Sequence, residues 1–302
     1  MAKRKIAYLI NPISGTRSKI KILEEIKSRT KEAKIDYEFF HTNKEGNYNF
    51  LRPAIQDGSI TDIVICGGDG SVSKVAGALL QEDIRFGIVP MGSGNGLAYT
   101  AKIPRNVNKA LDIIFNCPDT RVDGFTINGQ FSCMLCGLGF DAKVAHDFAA
   151  SPKRGLKTYI KLSTLNFFKA KPYPFTIECN SKSFESAAYF ISIANSNQFG
   201  NNFTIAPMAS LKDGLMDIVI VKDMSKMMLP FSILSQITGS NKLQDLGEMI
   251  NSENIIYFQT DSIKIYNPQL APLHIDGDPV ETSDIFEITV LPKAFRLIQP
   301  FA

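Results

Sequence analysis

The run "DIVICGGDGSVSKVAGALL", residues 62–80, decides the fold. It begins as an almost wholly aliphatic strand, halts at Gly67-Gly68-Asp69-Gly70 and then turns helical. A strand without polar alternation is buried on both faces, the habit of parallel sheets covered by helices. The same order recurs around it. Residues 6–10 read as a strand, followed by a loop at 11–15 and a helix over 18–33; residues 37–40 and 86–89 are further strands. Strands alternating with helices predict a doubly wound α/β arrangement. Each strand runs into a polar or glycine-rich turn: "NPISG", "HTNKEG", "GGDGS" and "MGSGNG". In an open α/β sheet such turns gather at the carboxyl edge, where ligands bind.

From Arg121 the pattern changes to strand-like runs joined by short turns, such as "AAYFISIAN", "LMDIVIV" and "SIKIYN", so the second part is predicted to be mainly β. Two helical pieces interrupt it. Residues 154–171 are amphipathic and basic, with Lys153, Arg154 and Lys161 around them. They could rest on anionic lipid, although a helix packed on the β part is the commoner use of such a pattern. Residues 225–237 are apolar, with Ser225 as N-cap, Met227 and Met228 in a core-like or pliable wall, and Pro230 near the first turn.

A chain of 302 residues that is 44% hydrophobic can bury a core in each of two domains. A net charge of +3 is too weak to argue for nucleic acid and is compatible with an anionic membrane surface. The basic and then apolar N-terminus is interrupted at Asn11-Pro12, too early for an export segment, and no run approaches the ~18 apolar residues of a spanning helix. Cys66, Cys117, Cys133, Cys136 and Cys179 are an odd set on largely apolar segments, which points to a reduced, cytoplasmic chain. None of His41, His146 and His274 neighbours the Cys133/Cys136 pair, so these read as core cysteines rather than zinc ligands.

Gly67-Gly68-Asp69-Gly70 exposes backbone N–H groups at the start of a helix, an arrangement that suits phosphate. No Gly-Lys-Ser/Thr follows, so it is not a Walker loop, and it is not the dinucleotide glycine fingerprint. Asp69 beside phosphate requires Mg²⁺ between them or a role as proton acceptor, both of which belong to phosphoryl transfer. The plain alternative is a tight turn whose acid caps a helix. A second turn of the same kind, "VPMGSGNGLA" at 89–98, ends the next strand and supplies Gly92, Ser93, Gly94 and Asn95, so that two neighbouring turns form a cradle.

With "NPISG", "GGDGS", "PMGSGN", "GLGFDAKV", "NSNQFGNNFTIAPMASLKDGLMDIVIV" and "HIDGDPV" in this order from Ile6 to about Pro300, the chain resembles the diacylglycerol kinase-like lipid kinases, which include bacterial diacylglycerol kinases, sphingosine kinases and ceramide kinases. The resemblance implies an α/β nucleotide-binding domain over residues 1–125, able to be rejoined by 293–302, and a β-sandwich lipid-acceptor domain over 126–292. It implies an ATP- and Mg²⁺-dependent kinase acting on a lipid hydroxyl at a membrane surface. ATP would be held by Asn11, Ser14, Gly15, Thr42, Gly67, Gly68, Gly70, Ser71, Ser73 and the Gly92–Asn95 turn. Asp69 would face the Mg²⁺ and phosphates, and either Asp278 or Asp69 would be the base for the lipid hydroxyl. Asp141 would recognise the acceptor, and Ser210, Asp213 and the Leu215 backbone would hold a structural Mg²⁺.

The chain departs from the family pattern in places. Ser73-Lys74 replace an Asn-Glu pair, and a lysine there could neutralise phosphate charge. Gly96 replaces an acid, Asp278 replaces a glutamate one methylene longer, and the Ser210 hydroxyl is a weaker metal ligand than a carboxylate. Asp141 reads equally as a solvated turn acid and Asp213 as the acid of an Asp-Gly turn. Competing readings are a kinase of the NAD kinase type, which shares GGDG, and a nucleotide- or lipid-binding module with weakened catalysis. The sequence does not name the lipid or settle whether the protein is a dimer.

Overall fold

The computed structural model describes residues 3–12, 19–152, 156–200, 203–222, 250–251 and 255–300. Ser14, Gly15, Lys153, Arg154 and the expected 225–237 helix with Ser225, Met227, Met228 and Pro230 lie outside the described residues.

The first part contains strands β1 (Lys5–Ile10), β2 (Asp36–His41), β3 (Asp62–Gly67) and β4 (Arg85–Pro90), parallel and in the order β2-β1-β3-β4. Its helices are α1 (Lys19–Glu32), α2 (Arg52–Gln56), α3 (Asp69–Ala78), α4 (Gly96–Thr100) and α5 (Val107–Asn116). Period-two alternation sorts the strand residues to opposite faces. Ile6, Tyr8, Val64 and Cys66 share a core with Ile22 and Ile26 of α1 and Leu111 and Ile114 of α5. Ala7, Leu9, Ile63 and Ile65 share another with Ile55 of α2 and Val72, Val75 and Ala76 of α3. The sheet is therefore covered on both sides, which explains why its strands carry so few polar residues.

The second part opens with β5 (Asp119–Ile127), β6 (Gln130–Ser132) and β7 (Leu135–Gly139), then helices α6 (Phe140–Ala150) and α7 (Leu156–Lys169). Strands β8 (Tyr173–Cys179), β9 (Lys182–Ala188) and β10 (Phe190–Ala194) follow, with a small ribbon of β11 (Gln198–Gly200) and β12 (Phe203–Thr204). The chain continues through β13 (Met216–Val221), β14 (Ile250–Asn251), β15 (Ile255–Thr260), β16 (Ser262–Tyr266), β17 (Leu273–Ile275), β18 (Asp278–Val280) and β19 (Ile285–Ile298). A seven-stranded antiparallel sheet has the order β14-β15-β13-β10-β7-β17-β18. The parallel strands continue into a second, antiparallel stretch in the order β4-β19-β16-β8-β9, with β5 also on β19, and its Phe125, Phe175, Ile265 and Phe286 meet Leu138, Ile191, Ile193 and Ile218 of the seven-stranded sheet to form the core of the β-sandwich.

Strand β19 joins the two parts. Its first half pairs antiparallel with β16, its last residues pair parallel with β4 through Arg296 and Leu297, and β5 lies along its other edge. The register shifts between Leu291 and Phe295, where Lys293 takes a positive φ of 54°. Asp123 accepts the Lys293 N–H at 2.7 Å and the Gly214 N–H at 2.8 Å, so one buried carboxylate secures both the bulge and a neighbouring turn. No helix among the described residues is long and apolar enough to cross a membrane.

Candidate active site

The carboxyl ends of β1, β2, β3 and β4 bring Asn11, Thr42, the Gly67–Gly70 turn and the Gly92–Asn95 turn to one edge. Backbone bonds tie them: the Asn11 N–H donates to Cys66 O, the Thr42 N–H to Ile10 O and the Met91 N–H to Gly67 O. Asn11 Nδ2 donates to Ser71 Oγ at 2.8 Å. The two glycine turns lie in contact, because a Cβ on Gly92 would stand 2.5 Å from the Gly68 Cα. Glycine is required at that approach, and the result is one continuous cradle rather than separate loops.

Asp69 is the brace of this cradle. As the first residue of α3 it sends its carboxylate to α4, accepting the Gly96 N–H at 3.0 Å and the Leu97 N–H at 3.1 Å. Burial pushes its carboxyl up, and these amide donors oppose the shift. A Cβ on Gly96, where the family pattern has an acid, would run into the Gln198 carbonyl oxygen, so the close packing of the second part leaves no room for a side chain there. Asn95 is buried with φ of 60° and closes its own turn, bonding Gly92 N and O at 2.8 Å each. Ser93 at the tip is exposed and Gly94 half-buried. Ser73 is buried: its hydroxyl accepts the Cys133 N–H at 3.1 Å and lies 3.0 Å from Cys133 Sγ. It thus joins α3 to the segment between β6 and β7.

The second part contributes the β17–β18 turn, which carries Asp276, Gly277 and Asp278. Asp278 is exposed and reaches α3, where a Cβ on Gly70 would stand 2.8 Å from its Oδ2. Lys74 Nζ donates to the same oxygen at 3.0 Å. Asp276, which the sequence reading passed over, is buried with φ of 52°. Its Oδ1 accepts from Ser132 Oγ at 2.8 Å and the Leu135 N–H at 3.1 Å, while Oδ2 is buried without a hydrogen-bond partner. Burial pushes this carboxyl up to about 7, against its hydrogen bonds from Ser132 and Leu135, with the charge of Asp69 adding to the rise. The Asp-Gly pair in "HIDGDPV" was the available signal, a turn whose acid tolerates positive φ.

Asp141, at the head of α6, is buried and lies behind this turn. His274 Nδ1 accepts the Gly277 N–H at 3.3 Å, which leaves Nε2 to donate to Asp141 Oδ2 at 3.3 Å. Gly137, directly opposite His274 in the sheet, makes room for the pair. His146 Nε2 meets Leu273 O at 2.8 Å, so α6 grips two successive residues of β17. The sequence sets His274 aside as a zinc ligand and gives it no other role; its place beside Asp141 needs the β7–β17 register.

Cys133 and Cys136 are free thiols in different cores, and burial pushes both thiols up. Ser210 Oγ accepts the Lys212 N–H at 3.3 Å and Asp213 Oδ1 the Leu215 N–H at 3.1 Å. These residues close a turn through their own amides. Burial pushes the Asp213 carboxyl up, and the neighbouring charge of Asp123 adds to the rise. Among the described residues no group of three or more His, Cys, Asp or Glu side chains is placed to hold a metal.

Comparison with known proteins agrees with this architecture. Residues 5–127 match the diacylglycerol kinase catalytic domain, and residues 135–299 match the YegS C-terminal NAD kinase beta sandwich-like domain. A Shewanella frigidimarina protein named "Probable lipid kinase YegS-like" is 27% identical over 83% of this chain and 80% of its own length. The Bacillus subtilis "Diacylglycerol kinase" is 25% identical over 92% of this chain and 90% of its own. A solved diacylglycerol kinase structure from Bacillus anthracis superposes with a TM-score of 0.72 at 20% identity, covering 98% of this chain and 97% of the other, which is a likeness of fold. With family domains matched across both the α/β and the β parts, the chain belongs to the diacylglycerol kinase-like lipid kinases, a family of phosphotransferases.

Proposed function

We propose that the protein transfers the γ-phosphate of ATP, arriving as its Mg²⁺ complex, to a hydroxyl of a membrane lipid of the diacylglycerol or sphingoid and ceramide type. The observation that carries this reading is the meeting of Asp278, from the β part, with Gly70 in the glycine turn of the α/β part. A phosphate-facing cradle and an exposed carboxylate from the other side are what an in-line transfer needs. In this reading the amides of the two turns orient the triphosphate. Asp278 accepts the proton of the lipid hydroxyl, that oxygen forms a bond to the γ-phosphorus, and the bond to the departing ADP oxygen breaks. Asp69 is buried and already occupied by two amide donors, which favours Asp278 as the base and leaves Asp69 to hold the turns in place.

Purified protein incubated with ATP, Mg²⁺ and mixed-lipid micelles tests the proposal, with products read by mass spectrometry. A phosphorylated lipid supports it and names the acceptor class. Conversion of NAD to NADP without lipid product would replace it with the NAD kinase reading, and no transfer at all with ATP still bound would leave a binding module. Asp278→Asn, assayed at saturating lipid and Mg²⁺, is expected to lower kcat by about 10²–10⁴ with ATP affinity retained. A kcat within a few-fold of wild type would remove Asp278 from the chemistry.

A further inference from the structure

Asp278 stands on an exposed hairpin turn, a poor platform for a group that must meet a hydroxyl within hydrogen-bond reach. Its carboxylate is nevertheless held from the opposite side of the cleft. Lys74 follows Gly70 by one helical turn, so the two positions share a face of α3. The Gly70 backbone forms the floor under the carboxylate, and the Lys74 ammonium closes on Oδ2 at 3.0 Å. The contact spans 204 residues of sequence and joins the α/β part to the β part. Both side chains are about half exposed, at 45% and 54%. Such a pair adds little to stability, so its value has to be sought in geometry.

We propose that Lys74 is a positioning residue for Asp278: its ammonium spans the cleft and fixes the carboxylate over the first turn of α3. The inference rests on the reading of Asp278 as the acceptor-side base. It assigns Lys74 no contact with the reacting atoms. The effect of Lys74 on turnover is exerted through Asp278 and disappears when that acid is absent.

The test compares Lys74→Met and Lys74→Arg in the wild-type and Asp278→Asn backgrounds. It measures kcat with lipid micelles, ATP affinity by calorimetry and amide exchange at the 276–278 turn. Lys74→Met is expected to lower kcat about ten- to a hundredfold, the scale of a misplaced catalytic group. ATP affinity should stay within about twofold, and Lys74→Arg should recover most of the loss. The turn amides should exchange faster in Lys74→Met, and in the Asp278→Asn background the substitution should change kcat little. Weaker ATP binding at unchanged kcat would overturn the proposal by making Lys74 a phosphate ligand. An equal loss in both backgrounds, or unchanged turnover and exchange, would overturn it as well. If the wild-type protein phosphorylates no lipid, the functional reading fails, while the exchange measurement still decides whether Lys74 holds the turn.

Discussion

Asp69 and Asp276 are both buried acids near the cleft, yet they are satisfied differently. Both oxygens of Asp69 are matched by amides, so Asp69→Asn presents an NH₂ to an N–H and breaks the link between the turns. The variant is expected to fold and to lose about 10²–10³ in kcat/KM for ATP; near-normal kinetics would exclude Asp69 as the brace of the site. Asp276 keeps one buried oxygen without a partner and its carboxyl is raised to about 7 from an ordinary 3.8. The folded form therefore holds its proton through a range in which the unfolded chain has lost it. Stability contributed here is lost as pH rises from about 4 to about 7, and the penalty is complete above that. Asp276→Asn, which removes the titration and tolerates positive φ, is expected to gain on the order of 1–4 kcal/mol over wild type at pH 8 and nearly nothing at pH 4. Urea denaturation at the two pH values checks this, and a pH-independent difference would contradict it.

Helix α6 is tied to β17 at the edge of the site. Asp141 and His146 hold His274 and Leu273, and His274 in turn holds the amide of Gly277 beside Asp278. His274→Leu leaves Asp141 Oδ2 without its donor, while Oδ1 keeps the Ala142 N–H, and leaves the Gly277 amide without its acceptor, and should cost about 2–4 kcal/mol in stability. Adding Asp141→Asn should restore part of that loss, because the unpaired charge is gone. Losses that simply add in chemical denaturation would show that the two side chains do not interact. The parallel strands and the glycine turns were legible because their signals are local: aliphatic runs, glycines at the strand ends, helical spacing beyond. The contact of Asp141 with His274 and the pairing of Lys74 with Asp278 were not. They depend on sheet register and on a hairpin placed against a helix 204 residues away, and no spacing in the chain encodes that. The bond of Ser73 to Cys133 between the two parts is likewise a contact that the local motif does not announce.

The site is made by both parts of the molecule, so it is as rigid as their connection. The strand common to both is β19, which hydrogen bonds to β4 at one end, β16 at the other and β5 along its length. The strand can serve both because it bends at Lys293, and the bend depends on Asp123, 1% exposed, which accepts the Lys293 and Gly214 amides. A side chain in β5 therefore controls the path between the α/β and the β part. Asp123→Ala would strand two amide donors and is expected to cost about 2–5 kcal/mol, since each lost its charge-assisted acceptor. The loss should fall on both parts together: far-ultraviolet circular dichroism and tyrosine fluorescence, the chain having no tryptophan, should follow a single coincident urea transition in wild type and variant alike. Separate transitions would mean that the parts unfold independently and that β19 does not couple them. Coincident transitions at lower urea, with the ATP and lipid KM rising together, would place the assembly of the cleft under the control of this one buried acid.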